Sequence, residues 1–203
     1  MTKLRLHGTA LSGHVHRVSL FLNILRLEHE FVEAGAQVRA SPEFRKLNPL
    51  GQIPVLEDGE LVLSDSNAIL VYLAKRYDAG GPWLPEDPVG AARVQRWLSI
   101  AAGEVMYGPG TARLIALWNA PGDPARAQAI AERLLTFMET HLAGHDYLAA
   151  AGPTLADLAC YSYVAHAPEG RVSLEPYPAV RDWLARIEAL PAFVAMPRSQ
   201  VPA

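Results

Sequence analysis

The stretch Asn48-Pro49-Leu50-Gly51-Gln52-Ile53-Pro54-Val55-Leu56, followed by Ser64-Asp65-Ser66-Asn67-Ala68-Ile69, decides the fold of this chain. Pro54 stands at the mouth of an apolar strand. It has no amide hydrogen, so it fits a strand entry or a cis turn and not a strand interior. A strand entry leaves the peptide N–H and C=O of Ile53 free to pair with another molecule. Asp65 and Ser66 then open an apolar-periodic helix. A helix start carries unpaired N–H groups and partial positive charge, which suits a carboxylate. Ser66 can donate to such a carboxylate, and Asp65 can receive an ammonium. Together the two pieces suit a small peptide with an amino acid at one end. Taken singly, they also read as an Asn-Pro turn and an ordinary helix cap.

Upstream, residues 3–7 alternate and predict a strand. Residues 8–13 are a turn of small residues. Val15, Val18, Leu22 and Leu25 recur at helical spacing over 14–27, widened by Phe21 and Ile24. Residues 29–34 predict a second strand. Ser41-Pro42-Glu43 is a helix start, with that helix ending before Asn48-Pro49. Residues 53–57 and 60–63 predict a hairpin around Asp58-Gly59. Residues 66–77 predict a helix. The order β-α-β-α-β-β-α within about 78 residues is a thioredoxin-like α/β arrangement.

Residues 79–88 are dense in glycine and proline and read as a linker between a domain at 1–78 and one at 89–203. Beyond it the pattern is all helical. Val94, Trp97, Leu98 and Ala101 mark one helix. Residues 111–118 continue after a break expected at Gly108-Pro109-Gly110. Ile130, Leu134, Phe137, Met138 and His141 mark another, and Val180, Trp183, Leu184 and Ile187 a last one. Thr154 and Asp157 are spaced as a capping box, so Asp157 is expected to serve folding and not chemistry. Cys160 lies in that helix and is expected to be a buried small apolar group.

The chain has 203 residues, half of them hydrophobic and 19% charged, which is the composition of a globular protein. A net charge of −3 gives no reason to expect nucleic acid. The longest apolar runs are too short to span a membrane, and the N-terminus lacks an apolar signal core. A single cysteine excludes an internal disulfide. These features favour the cytoplasm.

The Ile53-Pro54 and Asp65-Ser66 pieces, in this order and spacing, resemble the thioredoxin-like domain of cytosolic glutathione transferases of serine type. The resemblance runs from Leu4 to about Met196, and its specific motifs are N-terminal. It implies a cis Ile53–Pro54 bond, with the Ile53 backbone paired to the cysteine of glutathione and Asp65 and Ser66 holding the γ-glutamyl end. Arg39 and Gln52 are expected near the glycine carboxylate. Ser12, in Ala10-Leu11-Ser12-Gly13-His14, is expected to be the catalytic hydroxyl. A hydroxyl bond to the thiolate and the positive end of the next helix lower a thiol pKa from its usual value near 8.5. Serine also fills a helix cap well, so both roles stand open. His14 and His16 flank the site as tuning groups or as solvated residues, and Arg17 is expected on a helix surface. An electrophile pocket is expected among Met106, Tyr107, Arg113, Leu114 and Trp118, with Arg113 favouring anionic or carbonyl-bearing substrates if it points inward.

The resemblance implies a glutathione transferase with glutathione as co-substrate, no metal, a small electrophile as second substrate, and a homodimer. A scaffold that has lost the chemistry is the rival, and Ile53-Pro54, Asp65 and Ser66 argue against it. A glutathione-dependent isomerase, dehalogenase or disulfide reductase would keep the same pocket. Zeta-type isomerases carry Ser-Ser-Cys where this chain has Leu11-Ser12-Gly13.

Overall fold

The computed structural model describes residues 4–200. A four-stranded sheet, β1 (Leu4–Gly8), β2 (His29–Glu33), β3 (Val55–Asp58) and β4 (Leu61–Ser64), has the order β2-β1-β3-β4. β1 and β2 are parallel, and β3 runs antiparallel to both β1 and β4. Lys3, part of the expected first strand, lies outside the described residues.

Helix α1 (Gly13–Ile24) crosses between β1 and β2, and it stops short of the predicted residue 27 because Arg26 turns left-handed at φ 54°. Two short helices follow β2: α2 (Ala36–Ala40), which the sequence did not announce, and α3 (Pro42–Leu47), capped by Ser41 as expected. Helix α4 (Ser66–Tyr77) has the predicted bounds. The sequence of elements is the thioredoxin-like order, with one helix added.

The register places three connections at one end of the sheet. His7 at the end of β1 pairs with Val55 at the start of β3, and Val55 pairs with Ser64 at the end of β4. The chain after β1 (towards Ser12), the chain before β3 (Ile53–Pro54) and the chain after β4 (Asp65) therefore all leave from the same edge. The hairpin turn at Gly59 sits at the other.

The second domain is helical. Helix α5 (Pro88–Ile100) starts on an Asp87 cap and passes through a π-helical stretch (Ala101–Gly110) into α6 (Thr111–Trp118). The break expected at Gly108-Pro109-Gly110 is absent. Wider π-type pairing accommodates a residue that lacks an amide hydrogen, and the helix runs on through Pro109. Gly108 is needed for another reason: a side chain there would start 2.8 Å from the Ala131 backbone of α7 (Pro124–Leu142).

Helix α8 (Leu155–Ala165) is buried over its full length, and α9 (Pro178–Glu188) closes the domain. The Thr154–Asp157 capping box is present. The buried Asp157 carboxylate also accepts from Leu148 N–H at 3.0 Å and from the Trp183 indole at 2.9 Å, so it ties α8 to α9 and to the loop before it. Cys160 is fully buried, and burial pushes its thiol up to about 12. None of the helices is long and apolar enough to cross a membrane among the described residues.

Candidate active site at the domain junction

The loop that carries the first motif is built from inside. Asn48 is buried; its amide donates to Gln52 C=O at 2.9 Å, and its carbonyl accepts from Leu50 N–H at 3.1 Å. Gly51 takes φ 63°, and a side chain there would start 3.1 Å from the carbonyl of Arg39. The Ile53–Pro54 bond is cis. The Ile53 backbone makes no backbone hydrogen bond to the described residues, which leaves it open beside the sheet end. The Gln52 side chain is exposed and Arg39 is half-buried, both on the connections at this end.

Asp65 caps α4: its Oδ1 accepts from the N–H groups of Asn67 and Ala68, both at 2.9 Å. Its φ of 71° is in a region that costs a non-glycine residue about 1–3 kcal/mol, a kind of strain that clusters at functional sites. The side chain is exposed, so the second oxygen faces solvent. Ser66 beside it is buried.

Ser12 is half-buried and caps α1, with its hydroxyl accepting from Val15 N–H at a long 3.4 Å. An accepting hydroxyl still has its own proton to give. The cap and the expected thiolate contact are therefore compatible in one side chain. Arg113 fixes the turn from the second domain. It donates through Nη1 to the Leu11 carbonyl at 2.9 Å and pairs through Nε with Glu169 at 2.6 Å. Glu169 in turn holds His166 at 2.7 Å, and Arg113 and its neighbours together keep the Glu169 carboxyl below its usual range against the opposing effect of burial.

His14 joins the two motifs. Burial, helped by the Arg17 guanidinium, lowers its pKa to about 3, so the ring is neutral. Its Nδ1 then accepts from the Ser66 hydroxyl (3.3 Å), and its Nε2–H faces the Met106 sulfur (3.2 Å). Beneath them Arg17 is fully buried, against the expectation of a surface position. It donates to Ser66 Oγ (3.4 Å) and Asn67 Oδ1 (3.1 Å). Two of its nitrogens, Nε and Nη2, are buried without a partner. His16 is structural: Nε2–H donates to Val194 C=O and Nδ1 accepts from Ser162, both at 2.8 Å. Burial lowers it to about 4.

The expected electrophile residues separate. Met106 touches His14 and borders the site. Leu114 is half-buried and Trp118 exposed on the same helical run. Tyr107 instead lines a cavity of about 420 Å³ between the π-helical stretch and α7, with Glu104, Thr111, Arg126 and Ile130. Arg113 is 1% exposed and committed to Leu11 and Glu169, so it is a support for the Ser12 turn and not a wall of the pocket. The structure also brings Tyr163 of α8 to the site, its ring 5.1 Å from that of His14 and packed where a Gly13 side chain would stand. Sequence reasoning underrated the burial of His14, misplaced Arg17 and passed over Tyr163. The signal for Tyr163 was Gly13: a glycine directly after the candidate serine marks a close approach by another residue. Among the described residues no three histidine, cysteine, aspartate or glutamate side chains gather as metal ligands do.

Residues 6–83 match the family described as Glutathione S-transferase, N-terminal domain, and residues 122–191 match Glutathione S-transferase, C-terminal domain. The chain is 35% identical to Glutathione S-transferase 3 of Zea mays over 95% of this chain and 92% of that protein. It is 30% identical to the disulfide-bond oxidoreductase YfcG of Escherichia coli over 87% of this chain and 86% of that protein. Among solved structures, a glutathione S-transferase of Xanthobacter autotrophicus Py2 superposes with a TM-score of 0.88 at 32% identity, covering 96% of this chain and 97% of that one.

Proposed function

Because this chain belongs to the glutathione S-transferase family, it is a glutathione transferase, and we propose that Ser12 is the hydroxyl that holds its thiolate. The observation that carries this reading is the shared sheet end, where the Ser12 turn, the cis Ile53–Pro54 bond and the Asp65–Ser66 helix start converge.

Glutathione lies extended across that end. Its cysteinyl unit pairs with the open Ile53 backbone, as a strand would. Its γ-glutamyl carboxylate meets Ser66 and the α4 amides, and its ammonium meets the free oxygen of Asp65. Arg39 and Gln52 take the glycine carboxylate. The sulfur then stands at the start of α1. There the helix dipole, the Ser12 O–H and the uncompensated charge of Arg17 all favour thiolate over thiol. The thiolate attacks an electrophilic carbon, the carbon–sulfur bond forms, and the leaving group departs with its electron pair. The electrophile enters beside Met106, Leu114 and Trp118. We also infer a homodimer working in the cytoplasm, which gel filtration and cell fractionation test.

The YfcG likeness favours a second reading, reduction of disulfides through glutathione. Cys160 has no part in it, since its buried thiol stays protonated. Calorimetry with glutathione, then turnover of an aryl halide and of a small disulfide by the native protein and by Ser12→Ala, tests both. Binding with aryl-halide turnover that falls in Ser12→Ala supports the proposal. Disulfide turnover alone supports the second reading, and no glutathione binding overturns both.

A further inference from the structure

Tyr163 belongs to α8, in the helical domain, yet its ring occupies the space where a Gly13 side chain would stand. Its Cε1 and Cζ lie 2.9 Å from an ideal Cβ on Gly13, and Cζ is the carbon that bears the hydroxyl. The ring meets His14 edge-on at 5.1 Å and lies 5.9 Å from the Arg17 guanidinium. The residue is 3% exposed. The aromatic body is thus packed from every side, and its polar tip is set at the first turn of α1, next to Ser12.

That tip has a proton to give. The Tyr163 O–H donates to none of the described residues. Burial pushes the phenol up, so it keeps its proton, while Arg17, Arg113 and the N–H groups of His14 and Gly13 partly offset that push. A hydroxyl that gives its proton to no group of the chain can give it to an arriving acceptor. The anion that the Ser12 turn is read to hold is such an acceptor.

We propose that Tyr163 is a second hydrogen-bond donor to the glutathione thiolate, so that the sulfur is held by one hydroxyl from each domain. This rests on the reading of Ser12 given above. It makes thiolate stabilisation depend on how the helical domain sits against α1, through the Gly13–Tyr163 contact, and not on the thioredoxin-like domain alone.

Tyr163→Phe keeps the ring against Gly13, His14 and Arg17 and removes only the O–H. Enzyme-bound glutathione is titrated by its ultraviolet thiolate absorbance, with the S-methyl form as blank, in the native protein, Tyr163→Phe and Ser12→Ala. The thiol midpoint in Tyr163→Phe should rise by about one pH unit, a roughly tenfold loss of thiolate at neutral pH. kcat at neutral pH should fall by a similar factor and recover at higher pH, with the Kd of the S-methyl form unchanged. A ring-fluorinated tyrosine at position 163, a more acidic donor of nearly the same size, should move the midpoint the other way. A native protein with a lowered thiol midpoint that neither change shifts overturns the Tyr163 assignment and leaves the glutathione reading intact. A change in melting temperature alone, with no shift in midpoint, also overturns it. A native protein that leaves the thiol at its free value overturns both.

Discussion

The Nδ1 of His14 and the hydroxyl of Ser66 stand 3.3 Å apart, and this contact joins the start of α1 to the start of α4. With the His14 ring neutral, the Ser66 proton is lent to it, while Arg17 donates to the same oxygen from below. Both bonds are long for their kind, so an arriving carboxylate can take the Ser66 proton at little cost.

Asp65 has two functions that substitution separates. Its Oδ1 caps α4, and its charge is assigned to the ammonium of glutathione. Asp65→Asn keeps a good cap and loses the charge. Glutathione affinity should fall about tenfold to a hundredfold, the loss of a charge-assisted hydrogen bond, with melting nearly unchanged. Calorimetry beside a thermal melt checks this; unaltered affinity would remove Asp65 from the site.

Gly13→Ala should damage the site from within. The new carbon would stand 2.9 Å from the Tyr163 ring, a contact that forces α1 or α8 to move. Overpacking of this kind costs about 1–3 kcal/mol. Turnover should fall more than glutathione affinity does, because the displaced parts face the sulfur and not the γ-glutamyl end. Steady-state kinetics with calorimetry distinguish the two effects.

Arg113→Met strands a buried carboxylate. Glu169 keeps His166 but loses its guanidinium, and the Leu11 carbonyl loses its donor. Breaking one side of a buried pair costs roughly 3–5 kcal/mol. Urea unfolding should show that loss. If the anionic-substrate role once expected of Arg113 were correct, the variant would instead change the ranking of charged against neutral electrophiles at equal stability.

Stability should decline in mild acid. Burial holds His14 near 3 and His16 near 4, below the 6.5 of an unfolded chain. Between those values the unfolded chain binds protons that the folded one refuses. The contribution of the two neutral rings is therefore complete above about pH 6.5 and drains away as pH drops towards 4. The slope approaches about 1.4 kcal/mol per pH unit for each histidine. His16→Gln, which can still donate to Val194 and accept from Ser162, should flatten the curve. Urea midpoints measured from pH 7 to pH 5 decide it, and parallel curves for both forms would acquit His16.

Helix α4 was legible to the residue because its cap, its first turn and its apolar period all agree. The sheet was legible from alternation and the Asp58-Gly59 turn. Helix α2 was not: its five residues carry no buried position, so no period marks them. The run through Gly108-Pro109-Gly110 was read as a break because glycine and proline normally interrupt a helix; here the glycine serves close packing on α7, and the proline lies within π-helical geometry. Ser12, Ile53 and Asp65 could be picked out because they sit in local motifs. Arg113 was picked out, but for the pocket and not for its bonds to Leu11 and Glu169. Arg17 and Tyr163 were not, because Tyr163 reaches α1 from the other domain and a cation buried without a carboxylate has no signature in the order of residues.

The sheet has a working end and an idle one. Gly59 and Glu60, at the turn between β3 and β4, are exposed and lie at the idle end, roughly 10 Å of strand away from Val55. Asp58 just before them is held by the hydroxyls of Tyr72 and Tyr77, which anchor the strand end on α4. A dye, a surface tether or a short recognition peptide placed between Gly59 and Glu60 would therefore be isolated from the catalytic loops by a braced pair of strands. That makes this turn the natural handle for immobilising the enzyme or reporting on it.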